Sequence, residues 1–146
     1  MIRPGTIKDF GAVERMLHDF HAAKAGQFDA ALYDRLHFRG LYRVLMSDPK
    51  RGLVVISEVE GEAVGVLLAV ATISAFAPII ATEELMWWVD PTARGRDTLR
   101  MLDAYEEWAD SLGAKIVGLS HFGDRAPKSY ARRGFISAES KHVKAR

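Results

Sequence analysis

The chain has 146 residues, 49 % of them hydrophobic and 27 % charged, which is the balance of a globular domain long enough to bury a core. A formal net charge of +1 gives no bulk field for nucleic acid or an acidic membrane surface. With no cysteine there are no disulfides, thiolate metal sites or cysteine nucleophiles, which fits a reducing, cytoplasmic location.

Taken in order, Ile2-Arg3 reads as a short first strand, with no apolar signal segment behind Met1-Ile2-Arg3-Pro4. Thr6-Ile7-Lys8-Asp9 has the form of a capping box. It opens a helix with Phe10, Val13, Met16, Leu17 and Phe20 on one face, broken at Gly26. A second helical run carries Leu32, Leu36, Leu41, Leu45 and Met46 as its apolar residues and ends at Asp48-Pro49. Leu53 to Ile56 is a strand, Glu60-Gly61 a tight turn, and Ala63 to Ile73 the hairpin partner. Glu84 to Val89 is a further strand. A helix follows to about Leu112, with Leu99, Leu102, Tyr105, Trp108 and Leu112 facing inward and Gly113 at its end. Lys115 to Leu119 is a strand and Ala126 to Arg133 a short helix stopped by Gly134. Short strands near Phe135 and His142-Val143 would finish the chain.

The early hairpins imply antiparallel pairing, and the strand-helix-strand unit from Glu84 to Leu119 implies a parallel crossover. The expected fold class is therefore α/β (α+β), a mixed and mostly antiparallel sheet with helices on both faces, spanning residues 1–146 as one domain. The uncharged stretch from Ala63 to Thr82 is about as long as a membrane span. Gly65, Thr72, Ser74, Pro78 and the many Val and Ile residues read instead as a buried strand and an apolar loop.

The segment from Trp87 to Leu99 carries the most chemistry. An apolar strand ends at Asp90-Pro91, a basic turn Arg94-Gly95-Arg96 follows, and a helix begins. Free backbone N–H groups and the helix dipole make such a junction an anion site. Two arginines there suit phosphate oxygens. The competing reading is a solvated turn before a helix. His18 and His21, at i, i+3 on the first helix, lack a third ligand and are not read as a metal site. Lys141, Lys144 and Arg146 read as a solvated basic tail.

The element order and three motifs resemble the GNAT superfamily of acyl-CoA-dependent N-acetyltransferases over nearly the whole chain. Val89-Asp90-Pro91-Thr92-Ala93-Arg94-Gly95-Arg96-Asp97-Thr98-Leu99 is similar to the family's pyrophosphate loop, V-x-P-x-x-R-G-x-G-x-G/A. Tyr130-Ala131-Arg132-Arg133-Gly134-Phe135 is similar to its Y-x-x-x-G-F motif, and Glu84 sits on the strand before the loop. The chain departs from the pattern at Asp97 and Leu99, where the family usually carries glycine.

The resemblance implies acetyl-CoA as co-substrate, held by Trp88, Val89, Arg94, Gly95, Arg96, Asp97, Thr98 and Leu99. It implies Glu84 as general base, with Glu83 as the alternative on the opposite strand face. In regular alternation Glu84 shares its face with Met86 and Trp88. It further implies Tyr130 as the acid that protonates the leaving thiolate, and a backbone N–H near Val89 as oxyanion donor. Trp87 and Trp88 read as core and cleft wall, and His121 follows the fifth strand near the acceptor side. The partner would be an amine acceptor, small molecule or protein. The first two helices and the apolar loop from Ser74 to Ala81 would form its site, pointing to an uncharged or amphipathic acceptor or to a homodimer contact. The rival reading is a non-catalytic acyl-CoA-binding or regulatory protein on the same fold.

Overall fold

The computed structural model of the chain describes residues 1–23, 32–121, 125–139, 142, 144 and 146. The helix break expected at Gly26, Lys141 of the expected tail and Val143 of the short strand expected at His142-Val143 lie outside the described residues.

Five strands form one sheet in sequence order: β1 (Ile2–Pro4), β2 (Gly52–Val59), β3 (Glu62–Ile73), β4 (Ile80–Val89) and β5 (Ile116–Gly118). All neighbours pair antiparallel except β4 and β5, which run parallel. Helices α1 (Phe10–Ala23) and α2 (Arg35–Ser47) cover one face, and α3 (Arg96–Ser111) covers the other. A short helix α4 (Lys128–Arg132) follows β5. The architecture is the mixed, mostly antiparallel sheet with helices on both faces. The final strand expected at Phe135 does not form, because residues 135–139 carry no strand. Among the described residues, no helix is long and apolar enough to cross a membrane.

Local chemistry explains the element ends. At the β2–β3 hairpin both Glu60 (φ 51°) and Gly61 (φ 83°) are left-handed, the geometry a two-residue turn between twisted strands requires. Before α1, the Asp9 carboxylate accepts hydrogen bonds from the Thr6 N–H (2.7 Å) and Thr6 hydroxyl (3.0 Å). It also receives two bonds from the Arg3 guanidinium at 2.7 and 2.9 Å, which ties α1 to β1. The Arg3 contact is the main reason the Asp9 carboxyl titrates near 2 rather than at its ordinary 3.8. A depressed acid stabilises the fold above its unfolded pKa, and that contribution is lost as pH falls through the folded value. Unfolding measured at stepped pH should therefore show stability falling between about pH 4 and pH 2, and Asp9→Asn should flatten that slope.

Two expected helix faces need correction. On α2, Leu32 and Leu36 are 64 % and 80 % exposed, and the buried residues are Phe38, Tyr42 and Leu45. Asp34 caps the helix by accepting from the His37 N–H at 2.7 Å, so the helix starts after Leu32 and its inner stripe is the aromatic one. On α3, Leu99 is 46 % exposed and Met101, Leu102, Tyr105 and Ala109 are buried. The stripe that packs on the sheet runs through Met101, Leu102, Tyr105 and Ala109, and Leu99 is not part of it.

Candidate active site

The site begins with a fork in the sheet. Parallel pairing of β4 with β5 covers only Ala81–Ile116, Thr82–Val117 and Glu83–Gly118. Beyond Glu83, β4 continues to Val89 without that neighbour. The Tyr105 hydroxyl fixes the root of the fork from α3, donating to Gly118 O at 2.8 Å and lying 3.2 Å from Thr82 Oγ1.

One residue past that root, β4 bulges. Glu84 pairs with Ala69 and Met86 with Leu68, so Leu85 has no partner of its own. The extra residue changes the parity of the strand. Glu84 lies on the α3 side with Trp87 and Val89, while Met86 and Trp88 pack toward α1 and α2. Regular alternation would have grouped Glu84 with Met86 and Trp88, so that expectation is corrected by the bulge. Glu83, opposite Val70, is exposed and does not line the cleft.

A cleft of about 340 Å³ opens in the fork. Glu84, Trp87, Val89, Arg94 and Thr98 form one wall, with Ser120, His121, Arg125 and Tyr130 opposite and Phe20 of α1 at one side. Glu84 is 7 % exposed. Its carboxyl Oε2 accepts from the Ser120 hydroxyl at 2.9 Å and from the Ser120 N–H at 3.2 Å. The Tyr130 hydroxyl donates to Ser120 O at 2.7 Å. Ser120 therefore bridges the two candidate catalytic side chains, a role its position after β5 did not advertise.

Tyr130 is buried, and its ring lies nearly parallel to Trp87 with centroids 6.5 Å apart. Burial, reinforced by the nearby Glu84 charge, pushes its phenol up to about 12. It is a neutral donor at any physiological pH. Helix α4 is anchored one turn later, where Arg133 pairs with Asp103 and Glu106 of α3. The Phe135 N–H closes the turn on Tyr130 O at 3.0 Å.

The loop end of the cleft is ordered by short contacts. Asp90 N–H donates to Val64 O at 2.8 Å, toward β3. Successive N–H groups of a strand point to opposite sides, so those of Val89 and Trp87 face the fork. The Arg94 Nε donates to Val89 O at 3.1 Å, and its guanidinium sits 5.4 Å above the Trp88 ring. The indole N–H of Trp88 in turn donates to Asp90 at 3.1 Å, and Arg15 of α1 grips the same carboxylate at 2.9 Å. Trp88 thus supports the loop from beneath, and Trp87 is the indole that lines the cleft.

Gly95 N–H donates to Thr98 Oγ1 at 3.1 Å, while the amides of Arg96 and Asp97 have no hydrogen-bond partner among the described residues. Arg96 is exposed. Asp97 is turned away from the cleft, held by the terminal ammonium of Met1 at 2.6 Å and by Arg100 at 3.2 Å. The ammonium contact is the main cause of its lowered pKa. Leu99 is exposed and lies outside the cleft lining. Of the expected site residues, the fold gathers Glu84, Tyr130, Val89, Arg94 and Thr98 around one cavity. Gly95, Arg96 and Asp97 sit at the helix start, and Trp88 and Leu99 stand apart.

No protein-family model matches the chain, and no curated protein sequence matches it. Solved structures do. A GNAT family acetyltransferase from Staphylococcus aureus superposes with a TM-score of 0.67 at 16 % identity, over 99 % of this chain and 97 % of that one. A ribosomal-protein-alanine N-acetyltransferase from Brucella melitensis gives 0.63 at 14 % identity, over 100 % and 99 %. A transcriptional regulator from Bacillus halodurans gives 0.74 at 19 % identity, over 100 % and 98 %. The chain therefore has the GNAT acetyltransferase fold.

Proposed function

We propose that residues 1–146 form one acetyl-CoA-dependent N-acetyltransferase domain, acting by direct transfer to a primary amine. The observation that carries this reading is the pairing, in one cleft, of a cationic helix-start loop with the Glu84–Ser120–Tyr130 chain. Arg94, Thr98 and the amides of Arg96 and Asp97 would hold the diphosphate. Asp97 is no obstacle while its charge is turned to Met1 and Arg100. The acceptor amine gives a proton to Glu84, directly or through a water, and then attacks the thioester carbonyl. The Val89 N–H, aimed into the fork, stabilises the oxygen charge that develops. Tyr130 protonates the departing thiolate.

Binding is tested first. Acetyl-CoA at a hundredfold over its dissociation constant should raise unfolding stability by about 2.7 kcal/mol. Release of free thiol with added amines then measures transfer. Glu84→Gln keeps an oxygen for Ser120 and should retain acetyl-CoA binding while losing about 10²- to 10⁴-fold in turnover. Glu83→Gln, on the other face, should be near wild type. If Glu83→Gln loses turnover and Glu84→Gln does not, the base is misassigned. The second reading is a regulatory protein on this fold, favoured by the likeness to a transcriptional regulator. Acetyl-CoA binding without thiol release across a broad amine panel would select it.

A further inference from the structure

A second cavity of about 330 Å³ lies on the opposite side of β4 from the cleft. Its floor is apolar: Leu17 of α1, Phe38 of α2, Leu68 of β3 and Met86 of β4, all buried. Leu41 and the bulge residue Leu85 form its sides. The polar groups are His21, Asp34, His37 and Tyr33. The Tyr33 hydroxyl is engaged with Glu14, so that residue offers the cavity its ring.

The two cavities meet at a common wall. Phe20 lines the cleft and its neighbour His21 the second cavity. Glu84 lines the cleft and its neighbour Leu85 the second cavity. The fork leaves the Glu84–Val89 edge of β4 without a strand beside it, so a ligand seated against Leu85 and Met86 can present one end to Glu84 around that edge. Charge divides the same way. Arg94 and Arg125 stand at the cleft, while among the described residues no lysine or arginine lines the second cavity and its one carboxylate is Asp34. An anionic donor suits the first, and an amine with an apolar body suits the second. The volume lies at the small end of the roughly 300–1,000 Å³ typical of ligand sites. A single acidic side chain does not offer the several anionic contacts that a polyamine or aminoglycoside requires.

We propose that this cavity holds the tail of the acceptor, which is a compact apolar monoamine of the alkylamine or arylalkylamine class. The proposal rests on the acetyltransferase reading and specifies its acceptor. The loop from Ser74 to Ala81, expected to help form the acceptor site, contributes to neither cavity, and its Phe76 is 99 % exposed.

The test is a series of straight-chain primary amines from propylamine to hexylamine, with acetyl-CoA and free-thiol detection. Each methylene buried in the cavity should raise kcat/KM about fourfold, levelling off when the cavity is full. Phenethylamine should exceed spermidine and kanamycin by more than tenfold. Leu41→Glu, at the cavity side, should flatten the series while leaving the acetyl-CoA dissociation constant unchanged, which also reports that the variant is folded. A flat series in the wild-type chain, or preference for spermidine or kanamycin, overturns the proposal. Acetyl-CoA binding with turnover only of polar amines overturns the acceptor class and leaves the transferase reading standing. Absence of acetyl-CoA binding overturns both.

Discussion

Tyr130→Phe should lower turnover by about 10²- to 10⁴-fold while acetyl-CoA affinity and folding stability hold. The substitution removes one oxygen. The ring that stacks on Trp87 and contacts Phe135 stays in place, so the packing that orders α4 survives. The lost hydroxyl donates to Ser120 O in the resting site, and Ser120 in turn donates to the Glu84 carboxyl. A phenol near 12 is a weak acid for an ordinary thiolate in water. The same burial that raises the phenol also raises the proton affinity of a thiolate expelled beside it, so the transfer is favoured only as the leaving group departs. Steady-state kinetics with the acetyl-CoA constant measured in parallel checks this. The pH profile should show no loss of turnover from Tyr130 ionisation below about pH 11. Unchanged turnover in the phenylalanine variant would remove Tyr130 as the acid.

Arg94→Glu should weaken acetyl-CoA binding by roughly tenfold to hundredfold, the size of one or two charge-assisted hydrogen bonds. The guanidinium is exposed, yet it is fixed by Val89 O on one side and the Trp88 ring on the other. Its charge is thus held at the mouth of the cleft before any ligand arrives, and reversing it should repel a diphosphate. Calorimetry gives the constant. The effect should largely vanish with acetylated pantetheine, which lacks the diphosphate. Arg94→Lys should recover part of the affinity, since it keeps the charge but loses the planar guanidinium that bridges Val89 O and Trp88. Equal binding by the glutamate variant would show that the loop does not read phosphate.

Where contacts are local, the sequence was readable. Phe10, Val13, Met16, Leu17 and Phe20 follow the helical period and are all buried. Glu60-Gly61 marks its turn, and Gly113 ends α3 in the left-handed conformation (φ 68°). The basic loop was visible because strand, turn and helix start adjoin in the chain. What escaped depends on a second segment. The bulge at Leu85 exists only relative to Leu68 and Ala69 of the neighbouring strand. Without it the faces of Glu84 and Trp87 were assigned apart. Ser120 meets Glu84, 36 residues earlier, only because β5 pairs with β4. Asp97 finds the amino group of Met1 at the far end of the chain. Leu36 has the right residue type for a core but lies on the side of α2 away from Phe38, Tyr42 and Leu45.

The unpaired Leu85 also bears on how such a site arises. If that one codon were lost, Glu84 and Met86 would become consecutive opposite Ala69 and Leu68, and ordinary alternation would keep both on their present faces. Every core contact of β4 could then be satisfied by a straight ladder. What would disappear is the bend that a bulge imposes on its strand, just where β4 and β5 part. The shortened protein should fold as well as its parent, with β4 straight where it now bends, so the position of Glu84 relative to Ser120 and Tyr130 depends on one residue that no core contact requires.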